Sequence, residues 1–536
     1  MSKWRGNPWA VLLTLSLGFF MTLLDLTIVN IAMPSMIDQL HASLDEILWV
    51  INAYVLILAV LLITAGRLGD LRGQRTIFIY GVAAFTVASL LCGISQNPAE
   101  LIAARCLQGL GAALLMPQTM ALIVATFPAE RRGTALGIWG AVAGVATIAG
   151  PTLGGFLVTT FDWRWIFFVN LPIGVIVLIA AVTLIPPVKQ ERRHRLDVGG
   201  VLIATAALFC FSFALTEGQR YDWNAWILGL AGASVVFLVI FLLQQRSQQG
   251  KEPLVPFSLF RDRNYSILNF ISAAVSVGMI GMFLPLTIYL QSVLGYSALK
   301  SGLVMAPMSL ISMFIAPVAG RFSDRIGGKY ILMLGLALYA IGMAWIVAIA
   351  GPTTNWPAFL PCLIVAGIGV GGVFAPMATE AMRGIEPRMA GAASGVYNTV
   401  RQIGSVVGSA AMGAILQNQL ASSLQHEATV RAAGLPPQAR APFIAGFKNA
   451  ASSGIEVGAG QSGASKNVPA GLPKEVAAQI SQAAKAVFDH GFVTAMKPTM
   501  ALPIGVVVIG ALSCLVMRRH VRAGEPQPSE PVEAAA

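Results

Sequence analysis

The chain has 536 residues, of which 56% are hydrophobic and 11% charged, and its mean hydropathy is +0.73. A soluble globular domain carries about 25% charged residues, so this chain has too few to cover a water-exposed surface, and it is too apolar to be intrinsically disordered. The net charge of +11 would point to nucleic acid only if the basic residues gathered on one face or tail.

They lie instead in short loops between apolar runs. The five Cys (Cys92, Cys106, Cys210, Cys362, Cys514) all fall inside such runs and form no disulfide framework. An all-α polytopic membrane protein is what remains. A spanning helix needs about 20 mainly apolar residues. Runs of that kind occur near 9–33, 47–66, 76–96, 98–122, 133–158, 164–186, 197–216, 225–244, 265–290, 300–320, 329–350, 357–382, 392–416 and 498–517, fourteen in all. The first run is too long and too polar, with Asp25 and Asn30 inside it, for a cleaved signal segment. It is expected to stay as a helix.

Placing the N-terminus in the cytoplasm puts 23 of the 35 basic residues in cytoplasmic segments and only Arg164, Arg220 and Lys300 in the short outer loops. The positive-inside rule then sets both termini in the cytoplasm. Residues 417–497 become an extracytoplasmic insert, with short helices near 419–432 and 474–490 flanking a flexible Gly/Ser/Ala-rich stretch over 450–473. It either serves the exit pathway or an envelope partner, or is a tolerated insertion. Residues 523–536 read as a disordered tail.

An internal repeat divides the chain. Gly66-Arg67-Leu68-Gly69-Asp70-Leu71-Arg72-Gly73 follows the second run, and Gly320-Arg321-Phe322-Ser323-Asp324-Arg325-Ile326-Gly327 follows the tenth. Both read G-R-x-x-D-x-x-G and fall in short inner loops. The repeat implies two related six-helix halves, 1–186 and 265–517, with two inserted helices and a linker over 187–264 and a tail over 518–536. Paired halves of this kind build transporters whose substrate site lies at the midplane between them. Asp70 is expected to cap the next helix or to pair with Arg across the bundle, so Arg67, Asp70 and Arg72 are assigned to conformational switching.

These motifs together resemble the major facilitator superfamily, in its fourteen-span drug:proton antiporter branch. The double G-R-x-x-D-x-x-G is similar to that superfamily's loop signature, and Leu24-Asp25-Leu26-Thr27-Ile28-Val29-Asn30-Ile31-Ala32-Met33-Pro34 to the branch's first-helix motif. Arg105-Cys106-Leu107-Gln108-Gly109-Leu110-Gly111 resembles its R-x-x-Q-G-x-G motif, and Gly150-Pro151-Thr152-Leu153-Gly154-Gly155 its exporter motif, with Ala146 where relatives usually carry Gly. The resemblance implies proton-driven export of lipophilic, often cationic compounds, with Arg105 tied to proton coupling. Alternatives are export of one endogenous metabolite (an antibiotic, siderophore or lipid), or a receptor or scaffold that does not transport.

An ionisable residue inside a span is a functional candidate by default. Asp25 lies about 12 Å and Arg105 about 10 Å from the outer ends of their runs, counting 1.5 Å per residue. At matching depth they are candidates for one proton-coupling pair, Asp25 carrying the proton. Arg401 lies about 13 Å into its run from the inner side. Asn30, Tyr54, Gln108, Gln118, Asn269, Tyr289, Tyr397, Asn398 and Arg401 are candidates to line the central cavity. Glu217 and Glu380 fall near span ends, where snorkelling to the interface is cheap. The five His have no metal-ligand spacing, and Gly327-Gly328-Lys329-Tyr330 is not a Walker A. No enzyme and no cofactor is therefore expected. The expected partners are protons, small lipophilic substrates and membrane lipid, with the chain as a monomer in a bacterial inner membrane.

Overall fold

The computed structural model describes residues 6–42, 44–186, 197–218, 221, 223–249, 253–386, 389–452 and 474–518. The tail from 519 onward and most of the expected flexible stretch, 453–473, fall outside the described residues. Among the described residues the regular structure is helical throughout. The helices are α1 (Pro8–Leu40), α2 (Leu44–Arg72), α3 (Gln74–Ile94), α4 (Pro98–Thr126), α5 (Arg132–Thr160), α6 (Trp165–Phe168), α7 (Asn170–Leu184), α8 (Val198–Glu217), α9 (Ala225–Gln248), α10 (Arg263–Ile288), α11 (Ala298–Ile326), α12 (Lys329–Ile349), α13 (Phe359–Arg383), α14 (Ala390–Ala432), α15 (Pro437–Ser452) and α16 (Lys474–Val516). Every one of the fourteen apolar runs falls on a helix. Among the described residues twelve spans are long and apolar enough to cross a membrane, with α6 and α7 counted as one. The Gly- and Ala-rich α5 and α14 cover the other two runs.

Local chemistry explains the helix ends. Asn97 caps α4 by accepting from the Glu100 amide at 2.9 Å, and Pro98 fills the first turn, where no N–H is needed. Gly73 (φ 96°) and Gly327 (φ 88°) end α2 and α11 in a backbone region that side chains disfavour. The G-R-x-x-D-x-x-G repeats are therefore not loops. They form the last two turns of α2 and α11, with only the final glycine outside the helix.

In the first half α3 packs on α4, α2 on α4, and α1 on α5 and α7. In the second, α12 packs on α13, α11 on α13, and α10, α14 and α16 on one another. The halves meet along two principal seams, α5 with α11 and α2 with α14. The inserted α8 pairs with α9 and leans on α2 and α14. Leu228, Val235, Val236, Leu242 and Leu243 of α9 are exposed, which suits a helix facing lipid.

The insert departs from expectation. Its two helical stretches are continuations of spans, and α14 and α16 each run 43 residues. That is about 64 Å at 1.5 Å per residue, against a hydrocarbon core of about 30 Å. Leu416, Leu420, Leu424, Ala428 and Ala432, spaced by four, are buried in α14, as are Ile480, Ala484, Val487 and Phe488 in α16. This apolar stripe is what carries α14 on as a helix beyond membrane length. The stretch over 437–452, not expected as a helix, forms α15, which packs on α14.

Candidate functional site

The first half contains a closed polar network drawn from five helices. Asp25 of α1 is 0% exposed and Arg105 of α4 is 1% exposed, and Arg105 Nη1 donates to Asp25 Oδ2 as an ion pair. Arg105 Nε donates to the Val50 carbonyl of α2 at 2.9 Å, and Nη1 also donates to Gln108 Oε1 at 2.7 Å. Gln108 returns its amide, Nε2 donating to Asp25 Oδ1 at 2.8 Å and to Ser89 Oγ of α3 at 2.9 Å. Asn170, the first residue of α7, donates to Asp25 and Ser89, both at 3.5 Å. The Tyr54 ring of α2 lies 4.3 Å from the guanidinium carbon, and the Phe167 ring of α6 lies 5.9 Å away. A guanidinium over aromatic faces gains cation–π stabilisation when it is desolvated.

This arrangement can hold either protonation state of the carboxyl. With Asp25 neutral, Arg105 keeps the Val50 carbonyl and Gln108 Oε1 as acceptors, and Gln108 keeps Ser89. The buried cation is thus never left without hydrogen bonds, which is the condition for tolerating it.

The second feature joins the halves. Asp70, near the end of α2, accepts from the backbone amides of Gly391 at 2.8 Å and Ala392 at 2.6 Å. Asp324, near the end of α11, accepts from the amides of Gly133 at 2.7 Å and Thr134 at 2.9 Å, and from the Thr134 hydroxyl at 3.0 Å. Each aspartate thus caps the N-terminus of a helix in the opposite half, α14 or α5. Free amides and the positive helix end favour a carboxylate there. A Cβ on Gly391 would stand 2.7 Å from Asp70 Cγ, and one on Gly133 would stand 2.8 Å from Asp324 Cγ. The capping is reciprocal across both seams.

The family model described as Major Facilitator Superfamily matches residues 15–409. The chain belongs to the Major Facilitator Superfamily. It is 41% identical over 454 residues, 83% of this chain and 78% of the relative, to an uncharacterized MFS-type transporter of Mycobacterium tuberculosis. It is 35% identical over 417 residues, 77% of each chain, to the multidrug resistance protein Stp of the same species. Among solved structures it is similar to the human organic anion transporter MFSD10, with a TM-score of 0.59 at 12% identity, covering 94% of this chain and 99% of that one. That likeness concerns the fold. The protein is a multi-pass membrane transporter of the superfamily.

Within this major facilitator, several candidates stand elsewhere than expected. Gln108 and Tyr54 are fully buried members of the Asp25 network and line no open cavity. Gln118 is sealed against Gly69 and donates to the Ala65 carbonyl at 2.7 Å. Tyr289 is buried in the second half, its hydroxyl donating to the Gly351 carbonyl at 2.6 Å. Tyr397, Asn398 and Arg401 share α14. Arg401 keeps part of its surface accessible and donates to Asn398 Oδ1 at 3.3 Å. Asn269 is buried and donates to the Tyr265 carbonyl at 2.9 Å. The side chains of Asn30 and Pro151 lie outside the described residues. Glu380 does not snorkel; it is 4% exposed and accepts from the Gly328 amide at 2.7 Å and from Arg383 at 2.9 Å. Glu217 is also buried, accepting from Asn52 at 3.1 Å.

The exporter motif faces α1 on one side only. A Cβ on Gly150 would run into the Thr27 side chain, and one on Gly154 would lie 2.8 Å from Ile28 Cγ1, whereas one on Gly155 would meet no other helix within 4 Å among the described residues. Thr27 also donates to the Ala146 carbonyl at 3.3 Å, so the Ala in place of Gly leaves this approach intact. Asp70 also accepts from the side chain of Gln74, the first residue of α3, at 3.3 Å, so its carboxylate touches both the following helix and α14. Arg72 and Arg321 are exposed at the same end of the bundle, and Arg67 is half-buried there. Gly66 and Gly320 sit in the seams, Gly66 against Gly391 and Gly395, and Gly320 against Gly133.

Sequence reasoning missed Ser89, Asn170, Gly133 and Gly391. The glycines did leave a signal. Gly133-Thr134-Ala135-Leu136-Gly137 and Gly391-Ala392-Ala393-Ser394-Gly395 both read G-x-A-x-G at the start of corresponding helices, a second internal repeat.

Proposed function

We propose that the protein is a proton-coupled antiporter that exports lipophilic, often cationic drugs by alternating access across a bacterial cytoplasmic membrane, with both termini in the cytoplasm. Asp25 carries the proton, and Arg105 with Gln108 and Ser89 stabilises its two charge states. The observation that carries this reading is the sealed Asp25–Arg105–Gln108 network. Asp25 is an ionisable carboxyl at membrane depth whose arginine has other acceptors ready when the carboxyl is neutral. Separation of α1 from α4 would part the Asp25 carboxyl from the Arg105 guanidinium, and their approach would restore the pair. The name of the 35%-identical relative, a multidrug resistance protein, supports the drug substrate.

The two capping contacts, Asp70 on α14 and Asp324 on α5, act as the latch of the inward end. The halves are 1–186 and 265–517, joined by the inserted helices over 187–264. The chain works as a monomer without cofactor and carries out no covalent chemistry. Ethidium efflux in inverted vesicles, with and without a proton gradient and beside Asp25→Asn, tests the proposal. Wild type should move dye only with the gradient, and the variant should not. Gradient-independent movement, or normal coupled efflux by the variant, would overturn it.

A further inference from the structure

Arg401 is a charged side chain at membrane depth that neither the coupling network nor the two caps use. It lies eleven residues from the start of α14, about 16 Å along the axis at 1.5 Å per residue and so near the middle of a hydrocarbon core about 30 Å thick. Ser394, Asn398, Arg401, Ser405 and Ser409 follow one another at spacings of three or four and share one face of the helix. That face points between the halves. On one flank of it Gly404 and Gly408 pack on Ala273 and Val277 of α10, and on the other Gly391 and Gly395 pack on Gly66 of α2. Ser394 Oγ donates to the Pro117 carbonyl of α4, in the opposite half, at 2.9 Å. Exposure along the face rises away from the Asp70 cap: Ser394 and Asn398 are buried, Arg401 and Ser405 are half-buried, and Ser409 is exposed. Arg401 therefore stands at the floor of a cleft that opens toward the other end of the bundle.

Its guanidinium has little to hold within the protein. Among the described residues it makes one hydrogen bond, Nη2 donating to Asn398 Oδ1 of its own helix at 3.3 Å, and no ion pair. The titratable group that acts on its charge is the Tyr397 phenol, not a carboxylate. Arg401 thus ties α14 to no other helix. The buried carboxylates of the spans are engaged elsewhere, Asp25 with Arg105 and Gln108, Glu217 with Asn52, and Glu380 with Gly328 and Arg383. An uncompensated charge at this depth is costly and marks a pathway for a charged ligand. A guanidinium carries five N–H donors in a planar fork that matches a carboxylate with two parallel bonds. We infer that Arg401 anchors the carboxylate of a lipophilic acid or zwitterion in the cleft between the halves. The inference rests on the transport reading and adds to its cations a class of substrate whose acidic group pairs with Arg401. Asn398 steadies the fork and leaves Nε and Nη1 for the ligand, and Ser405, one turn along the same face, offers it a hydroxyl.

The test is equilibrium binding of naphthoate to the full chain in phosphatidylcholine nanodiscs without any gradient, beside uncharged naphthamide and in excess over empty discs. Wild type should hold naphthoate at least about tenfold tighter than naphthamide, as one charge-assisted bond or more predicts. Arg401→Gln should abolish that preference and leave naphthamide as it was, and Arg401→Lys, with the charge but no fork, should keep only part of it. Equal wild-type affinity for the two compounds would overturn the inference, and so would a preference that survives Arg401→Gln. If Arg401→Gln does not fold, modification of the native protein by phenylglyoxal, read at Arg401 by mass spectrometry, decides the matter. Slowing by naphthoate and not by naphthamide supports the site, whereas equal rates with the two compounds, or no reaction at Arg401, overturn it. Binding is read at equilibrium, so its outcome is separate from that of the ethidium test of proton coupling.

Discussion

Removing the Asp70 carboxylate should release one seam between the halves. Asp70→Ala deletes two charge-assisted bonds across the seam, to the Gly391 amide at 2.8 Å and the Ala392 amide at 2.6 Å. Bonds to a charged group contribute about 1.5–3 kcal/mol each, and the helix-end field adds about 0.5 kcal/mol. Asp70 is only half-buried, so water can reach the freed amides and offset part of this. A net loss of about 2–4 kcal/mol remains, which at 1.4 kcal/mol per decade shifts the closed-to-open ratio by roughly 30- to 1,000-fold. Spin labels at Arg72 and Arg325, both exposed at this end on opposite halves, report that ratio by pulsed electron resonance. Cys106, the one cysteine that is not buried, is first replaced. The short-distance population should collapse in Asp70→Ala and again in Asp324→Ala. The two effects should add, since the contacts lie on separate seams. An unchanged distance distribution in both variants would refute the latch.

Arg105→Lys keeps the charge but cannot donate at once to Val50, Gln108 and Asp25. Gradient-driven dye efflux should fall about ten- to hundredfold, one lost charged hydrogen bond or more, and a wild-type rate would show that the planar donor set is irrelevant. Gly150→Val would drive a side chain into Thr27, and overpacking of that kind costs about 1–3 kcal/mol, so the variant should melt lower and transport poorly. Gly155→Val, with open space around it, should behave as wild type; indistinguishable melting curves for the two would contradict the assigned α1–α5 contact. Leu424→Ala removes a side chain that is 2% exposed in the extended part of α14. It should destabilise the α14–α16 projection by about 2–5 kcal/mol, visible as a lower thermal-shift midpoint, and an unchanged midpoint would mean that the projection melts independently.

Span positions were legible because a membrane demands about 20 apolar residues in a row, a constraint written along the chain itself. The Asp25–Arg105 pairing was legible for a related reason, since counting residues gives depth and two charges at one depth can meet. Direction around a helix axis was not legible in spans that are apolar on nearly every side. Gln108 and Tyr54 therefore read as cavity residues, although they face Arg105, and Glu217 and Glu380 read as snorkelling, although they face Asn52 and Gly328. Asn170 was invisible because its role depends on the break between α6 and α7 that carries it to Asp25.

By itself the sequence determined the helical class, the fourteen apolar runs, the internal repeat and the depth of its rare charges. Each of these follows from hydrophobic length and spacing along one dimension. Only the tertiary structure decided what Asp70 and Asp324 hold. Both lie in a helical turn that reads like a cap for the next helix. Gly391 and Gly133 lack the side chains that would block the approach, so each carboxylate reaches the free amides of a helix 321 or 191 residues away. Contacts at such separations depend on how the two halves are brought together, and no local pattern states that.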